Sequence, residues 1–390
     1  MSRSENDGLR ILQLSEDFYP KTSGGAFTDW NFARLAAERG HRVTVYTPRS
    51  EETPERERVE GVEIRRPYRA TPTDNHPNSV VGVVRRLAFL LLLTIRLLLD
   101  RRTRRYDVVY STNHLLHPTA KLVGLLHGVP VVNFVGYSPS ERTDLHPLDF
   151  RNLFETMIFS LFMGRLVLCR TPRVRARIVD RSRSTVRLIH GLIDQDAVTD
   201  AATSDVDSVR RELGVDDDER LLVSVCRFVP VKRPDEAVCV LAALPDSYRL
   251  RVVGDGESRS AVERVISEVS VGDRVDLLGH RPHEETLEII AAADVLVLTS
   301  SVEAYPTVVF EALALDTPVV STPVGILPEI DHPNLTLTDL DSMPEVIRSV
   351  DRGRGGGLDE AAAHRFSIEH FTDSVLEGMA TVTGTEAQEE

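Results

Sequence analysis

The sequence predicts an α/β protein made of two doubly wound, Rossmann-like domains that face a common cleft. Apolar runs of strand length alternate with stretches of helix length, which is typical of parallel sheets covered by helices. The chain has 390 residues, and at ~150 residues per domain this length gives two or three domains. One acidic segment separates two series of strands, which favours two.

The first series defines the predicted N-terminal domain, residues 1–192. Its strand-like runs are ILQL (11–14), VTVY (43–46), DVVY (107–110), VPVVNFV (129–135), RLVLC (165–169) and VRLIH (186–190). Gly24 and Gly25 form a predicted loop between the first run and an amphipathic helix that ends near Arg39. Glycines before a helix let the backbone approach a ligand, and the helix N-terminus presents N–H groups to an anion. A plain turn is the alternative interpretation.

The second series defines the predicted C-terminal domain, residues 210–368. Residues 193–209 are acidic and lack periodic apolar positions, which predicts a linker. Residues 369–390 form a predicted C-terminal helix or tail that packs back on the N-terminal domain. The strand-like runs of the second series are LLVSVCRF (221–228), YRLRVVG (248–254), RVDLLG (274–279), DVLVLTS (294–300) and PVVST (318–322), with helices predicted at 235–244, 259–269 and 283–293.

Charge is distributed unevenly along the chain, whose net charge is −14. Residues 1–190 hold 30 Lys and Arg against 20 Asp and Glu, and the remainder holds 16 against 40. A basic first half favours an anionic or lipid-linked partner. A nucleic-acid partner is not expected, because no recognition motif or interleaved aromatic residues accompany the basic stretches. Only three basic residues are lysine, and this bias suggests either a halophile-like cytoplasm or a GC-rich genome.

The N-terminus is polar and shows no signal peptide, so we expect a cytoplasmic protein. The three cysteines lack a CxxC pair, which supports neither a disulfide framework nor a zinc site. No metal and no cofactor are expected.

Candidate site residues follow the strands of the second series. Arg227 ends the first of these strands and Lys232 lies in the loop before the next helix, where two cations suit a diphosphate. Gly254 lies in a GDG turn after the second strand, which either approaches a ligand or is a plain turn. Glu303 and Glu311 flank seven residues at a predicted loop-to-helix junction, with Pro306 placed to open the helix. Two ordinary solvated acids are the alternative interpretation.

These elements occur in the order seen in a known family. The Gly-Gly loop, Arg227 and Lys232, the GDG turn, the GH pair at Gly279, the block ADVLVLTSSVEAYPTVVFEALA and the strand PVVST resemble the retaining glycosyltransferases of family four, which have the GT-B fold. The resemblance implies a metal-independent transfer of a sugar from a nucleotide-diphosphate-sugar, bound by the second domain, to an acceptor bound by the first.

The resemblance also implies residue roles. Arg227 and Lys232 bind the donor diphosphate and stabilise its developing charge, Glu303 contacts the donor sugar, and Glu311 holds the ribose hydroxyls. The backbone around Tyr305, Pro306, Thr307 and Val308 cradles the distal phosphate and sugar. Retention by front-face displacement needs no dedicated nucleophile, since the leaving phosphate helps to deprotonate the acceptor.

One departure from the family pattern leaves alternatives open. Many members have a histidine where Val135 stands. Three alternatives stay open: nearby His146 substitutes for it, the alignment is shifted at this position, or the activity is altered. A nucleotide-sugar epimerase or hydrolase of the same fold, or a non-catalytic nucleotide-sugar-binding protein, are the competing hypotheses.

The segment Val80 to Arg105 raises the question of a membrane. Its apolar run is interrupted by Arg96, is followed by four arginines, and is well short of the ~20 residues that span a bilayer. Two interpretations remain: a buried helix of the first domain, or a helix that lies in the interface at the inner face of the membrane with its arginines on anionic headgroups.

Overall fold

The computed structural model describes residues 8–21, 23–50, 52–69, 80–138, 150–351 and 356–384. The chain divides into two compact units. The first comprises Met1–Gly191 together with Ile368–Glu390, and the second comprises Leu192–Ser367. Each unit is described by itself.

In the described part of the first unit, eight strands form one sheet. They are β1 (Arg10–Leu14), β2 (Arg42–Tyr46), β3 (Arg56–Val59), β4 (Val62–Arg65), β5 (Val108–Ser111), β6 (Val131–Val135), β7 (Leu166–Cys169) and β8 (Thr185–Leu188). Their order is β3-β4-β2-β1-β5-β6-β7-β8, and all neighbours are parallel except the β3–β4 hairpin. From β1 the chain builds outward in one direction, and from β5 it builds in the other. The topological switch point, where such sheets bind ligands, therefore lies between β1 and β5.

Helices cover both faces of this sheet. They are α1 (Gly24–Glu38), α2 (Val80–Leu99), α3 (His117–His127), α4 (Phe150–Leu161), α5 (Pro172–Val179) and a C-terminal helix (Ile368–Thr383). A 3₁₀ turn, Arg101–Arg105, follows α2. One face of α2 packs against Leu12 and Leu14 of β1, which buries Phe89 and Leu93 at the helical spacing of four residues. The C-terminal helix packs in the same unit, where the Phe371 ring meets the Phe134 ring edge-on.

The second unit contains a six-stranded parallel sheet within the described residues. Its strands are β9 (Arg220–Val225), β10 (Tyr248–Val253), β11 (Val275–Gly279), β12 (Val295–Leu298), β13 (Val319–Ser321) and β14 (Leu335–Leu337). Their order is β11-β10-β9-β12-β13-β14, so the switch point lies between β9 and β12. Its helices are α6 (Gln195–Ala202), α7 (Val206–Glu212), α8 (Pro234–Ala242), α9 (Arg259–Glu268), α10 (His283–Ala292), α11 (Thr307–Ala314), α12 (Met343–Ser349) and α13 (Glu360–Phe366). Two parallel-sheet α/β units confirm the predicted fold class.

Residues 193–209, expected to be a linker, contain α6 and the first turn of α7 instead. Asp194 caps α6 by accepting a hydrogen bond from the Ala197 N–H, and Asp205 caps α7 in the same way from the Ser208 N–H. Both helices pack on α10. The acidic residues that suggested a solvated linker thus include two helix caps.

The described helices include none that is both long enough and apolar enough to cross a membrane.

Candidate active site

The candidate site of the second unit lies at its topological switch point. The loop after β9 and the loop after β12 are joined by hydrogen bonds from Ser301 N to the Val231 carbonyl (2.8 Å) and from Thr299 Oγ1 to the Arg233 carbonyl (2.7 Å). The Arg233 Nε donates in return to the Thr299 carbonyl at 2.8 Å. These bonds hold the two loops side by side at the carboxyl edge of neighbouring strands.

Lys232 and Glu303 form an ion pair across these two loops. The Lys232 Nζ donates to both carboxylate oxygens of Glu303, at 2.5 and 2.6 Å. Ser300 Oγ donates to Glu303 Oε1 at 2.7 Å. Glu303 is buried and Lys232 is partly exposed, so the lysine charge offsets the desolvation of the carboxylate. Two residues 71 positions apart in sequence thereby place a cation and an anion at one edge of the sheet.

Glu311 lies in α11 and has a histidine partner that sequence reasoning missed. The His283 Nε2 lies 2.8 Å from Glu311 Oε1. The hydrogen bond to Glu311 raises the pKa of the His283 imidazole, and burial opposes that rise. Glu311 Oε2 accepts no hydrogen bond from any residue that the structure describes, so it is available to a ligand diol. His283 opens α10, and a single histidine at a helix start gives no sequence signal of this contact.

The N-terminus of α11 points its first N–H groups out of the helix. Pro306 occupies the N-cap position without a side-chain capping bond, so the N–H groups of Thr307 and Val308 have no partner within the helix. The Tyr305 ring stacks on Phe310 with centroids 4.3 Å apart, which fixes the entry to the helix. This end of α11 carries the partial positive charge that attracts anions.

Glycine is required where neighbouring loops touch. Gly254 has φ +125°, and a Cβ there would lie 1.9 Å from the Cys226 carbonyl oxygen. Gly325 has φ +57°, and its Cβ would lie 2.4 Å from the Ala304 carbonyl oxygen. The turn after β10 is therefore packed against the start of the loop after β9, and the loop carrying Glu303 is packed against residues 324–326.

The remaining predicted residues behave differently. Arg227 is exposed, and its guanidinium forms no hydrogen bond or ion pair with the residues described. Gly24 and Gly25 lie in the first unit and are the first two residues of α1, not a loop, because Ser23 Oγ caps that helix by accepting from the Ala26 N–H. Val135 ends β6 and packs in the core with Phe159 and Val167. His146 lies outside the described residues.

A buried carboxylate at the switch point of the first unit was not predicted. Asp29 of α1 accepts hydrogen bonds on Oδ2 from Ser15, which follows β1, and from Thr112, which follows β5, the latter at 2.5 Å. Burial raises the pKa of the Asp29 carboxyl from its ordinary 3.8 to about 7, although the two hydroxyl hydrogen bonds oppose the rise. Its sequence context gave no signal, since a lone aspartate in a helix is usually solvated.

Two Rossmann-like units are the architecture of the GT-B class of glycosyltransferases. Comparison with known proteins identifies the family. Residues 24–223 match the family described as "Glycosyl transferase 4-like domain", and residues 205–336 match "Glycosyl transferases group 1". The chain belongs to the group 1 glycosyltransferases, as the sequence predicted.

Individual proteins resemble the chain along most of its length. An uncharacterised glycosyltransferase of Methanocaldococcus jannaschii is 22% identical over 339 residues, which cover 83% of this chain and 82% of that protein. Among solved structures, sucrose-phosphate synthase from Thermosynechococcus elongatus has a TM-score of 0.76 at 18% identity, covering 97% of this chain and 100% of the other. Anabaena HepE in complex with UDP-glucose has a TM-score of 0.73 at 18% identity, covering 96% and 100%.

Proposed function

We propose that this glycosyltransferase takes its sugar from a nucleotide-diphosphate-sugar bound at the switch point of the second unit. The observation that carries the proposal is the Lys232–Glu303 pair beside the N-terminus of α11. A donor presents a charged diphosphate next to a hydroxylated sugar, and this site sets an ammonium and a carboxylate within hydrogen-bonding distance. The complex of HepE with UDP-glucose, a protein of the same fold, is in keeping with such a donor.

Each site residue then has a role that suits its chemistry. Lys232 moves from Glu303 to the diphosphate, and the exposed Arg227 adds a bidentate contact. Ser300 keeps Glu303 in place when the lysine leaves, so that the carboxylate accepts hydrogen bonds from sugar hydroxyls. Glu311 Oε2 accepts from the ribose hydroxyls, because a carboxylate binds a diol and is repelled by phosphate.

Electrostatic stabilisation of the leaving diphosphate is the main catalytic contribution that these residues supply. As the bond from the sugar to the phosphate breaks, negative charge grows on the phosphate oxygens, which face Arg227, Lys232 and the N–H groups of Thr307 and Val308. The phosphate itself takes the proton of the attacking acceptor hydroxyl, and the new glycosidic bond forms on the same face. This route retains the anomeric configuration without a protein nucleophile or a metal.

Incubation with a panel of labelled nucleotide sugars, with and without lipid acceptors, tests the proposal. Transfer to an acceptor supports it, whereas release of free sugar supports the hydrolase or epimerase. Binding without conversion supports a non-catalytic protein.

We expect Lys232→Ala to lower turnover more than ~10-fold, because one donor of transition-state stabilisation contributes about 3 kcal/mol. Glu311→Ala weakens donor binding. Arg264→Ala, an exposed basic residue of α9, is the matched control; unchanged kinetics in the Lys232 and Glu311 variants would remove the site assignment.

We further propose that the acceptor is lipid-linked or an anionic glycan, and that α2 lies against the inner face of the membrane. The face of α2 opposite Phe89 and Leu93 exposes leucines, of which Leu91 is 61% and Leu99 77% exposed. One apolar face of α2 is thus buried against the sheet, and a second apolar face is exposed. On the neighbouring α3 the exposed apolar residues are Leu122, Leu125 and Leu126. Exposed arginines lie within α2 at Arg85 and along the 3₁₀ turn that follows it. An apolar face bordered by arginines suits a bilayer with anionic headgroups.

Sedimentation with vesicles tests the membrane surface. The variant Leu91→Gln/Leu99→Gln should bind vesicles containing phosphatidylglycerol at least ~10-fold more weakly than the unmodified protein, because each leucine removed from the interface forfeits about 1.5–3 kcal/mol. Val179→Gln changes an exposed apolar residue of α5 and should leave vesicle binding intact. Equal binding by all three proteins would exclude α2 as the membrane contact.

A further inference from the structure

A large cationic pocket lies in the first unit on the face of the sheet that α2 covers only in part. Strand register places Arg10, Leu12 and Leu14 of β1 beside Arg42, Thr44 and Tyr46 of β2. The helix α2 packs over Leu12, Leu14 and Tyr46. Towards β4 and the starts of β1 and β2 the sheet face is open, and the 3₁₀ turn after α2 forms a wall beside it. The resulting cavity has a volume of about 550 Å³, within the usual range for a small-molecule site.

Arginine dominates the lining of this pocket. Two acids, Glu63 and Asp100, face six arginines: Arg10, Arg42, Arg58, Arg65, Arg102 and Arg105. Of these, Arg10 forms an ion pair at 2.8 Å with Asp107, which lies outside the lining. A chain with a net charge of −14 thus gathers an excess of positive charge in one cavity. Like charges brought together in a concave space repel one another unless an anion joins them.

The two acids of the lining are already engaged. Glu63 forms an ion pair with Arg65 at 2.7 Å, and Asp100 Oδ1 accepts from the backbone N–H of Arg102 at 2.9 Å. The guanidinium groups of Arg58, Arg102 and Arg105 form no hydrogen bond or ion pair with any residue in the described ranges. Three arginines from two separate elements, β3 and the 3₁₀ turn, are therefore available to a ligand.

The chemistry of these groups selects the ligand. Guanidinium forks donate pairs of parallel hydrogen bonds, which match the oxygens of a phosphate group. We propose that this pocket binds the phosphate of an anionic ligand. Two sources share that chemistry: the headgroup of a membrane lipid and a free phosphate compound. The turn follows α2 directly, and Leu99, the last residue of α2, is exposed, so a headgroup in the pocket would belong to a lipid beside the apolar face of α2.

A triple variant, Arg58→Gln/Arg102→Gln/Arg105→Gln, tests the proposal in the full-length protein. Its control, Arg173→Gln/Arg175→Gln/Arg183→Gln, removes the same charge from exposed arginines near β8, at the other edge of the sheet. One arm measures binding of inorganic pyrophosphate by calorimetry. The other measures sedimentation with vesicles of phosphatidylglycerol against vesicles of phosphatidylcholine. Pyrophosphate bound at the donor site is the same in all three proteins, so the difference between them isolates the pocket.

We expect the triple variant to lose binding about 100-fold in at least one arm, since each arginine near an anionic surface contributes roughly a fivefold factor. A loss confined to the vesicle arm identifies a lipid headgroup, and a loss in the pyrophosphate arm identifies a free phosphate compound. Binding by the triple variant equal to that of its control in both arms overturns the proposal. Because this pocket is separate from the donor site, the triple variant should bind labelled nucleotide-sugar as the unmodified protein does. If only Lys232→Ala loses nucleotide-sugar binding, that result bears on the donor site and not on this pocket.

Discussion

Replacing Asp29 by asparagine should stabilise the protein at pH 8 and leave it unchanged at pH 4. The carboxyl has a pKa of about 7 in the folded protein and an ordinary value of 3.8. Between these values the unfolded chain is ionised and the folded protein holds the proton, so stability falls as pH rises through this window and is constant above it. About three pKa units at about 1.4 kcal/mol each amount to a loss of about 4 kcal/mol.

Asparagine carries no charge, and its amide oxygen accepts from Ser15 and Thr112 as the carboxylate does. The Tm of Asp29→Asn should therefore exceed that of the unmodified protein by an amount that grows from pH 4 to pH 7. The difference should reach the order of 10 °C, since 1 kcal/mol corresponds to roughly 2–4 °C in a unit of this size. Scanning calorimetry across that range measures it. Asp180→Asn, at an exposed aspartate of the same unit, should show no such trend. A Tm difference that is independent of pH, or a less stable variant at pH 8, would refute the reasoning.

Two further predictions concern the second unit. Gly254→Ala should weaken donor binding and lower Tm, because the new Cβ meets the Cys226 carbonyl oxygen at 1.9 Å. Gly272→Ala, where a Cβ meets only the Ile266 Cγ2 at 3.8 Å, is the control, and equal effects of the two would contradict the packing argument. Glu311→Gln should lower the pKa of His283 in an NMR titration, because the carboxylate is the main cause of its elevation. The same pair stabilises the fold fully below pH 6.5, and the contribution is lost as pH rises through the elevated pKa of His283; an unchanged titration midpoint would exclude the contact.

The strands could be predicted because the strands of a parallel sheet are buried on both faces, so each of them is a continuous apolar run in the sequence. The run VTVY predicted β2, and the run DVLVLTS predicted β12, each within two residues at either end. The hairpin of β3 and β4 was missed because its outer strand, RERV, is exposed at every second position and has no apolar run. The position of a short edge strand of this kind depends on its hydrogen bonds with the neighbouring strand, and a local sequence pattern does not reveal that pairing.

The linker prediction failed for a related reason. From composition alone we expected Asp194 and Asp205 to be solvated charges. Each instead supplies a capping oxygen to a helix that packs on α10. Short helices such as these depend on tertiary packing more than on intrinsic propensity. A segment with few apolar residues is therefore helical when its caps and one or two buried side chains, here Val198 and Ala201, meet a neighbouring helix.

The two switch points explain why one buried acid was predicted and the other was not. Glu303 was found through a sequence motif. Its cationic partner, Lys232, lies on the loop after β9, and the two side chains can meet because β9 and β12 are neighbours in the sheet. Asp29 has hydroxyl partners on the loops after β1 and β5, and no lysine or arginine of the described ranges donates a hydrogen bond to it. The cation beside Glu303 offsets the desolvation of that carboxylate, whereas the hydroxyl hydrogen bonds to Asp29 offset its desolvation only in part. The same topology thus gives the second unit a site of opposite charges and gives the first unit a carboxyl whose ionisation changes near neutral pH, a distinction that depends on which side chains the adjacent loops supply.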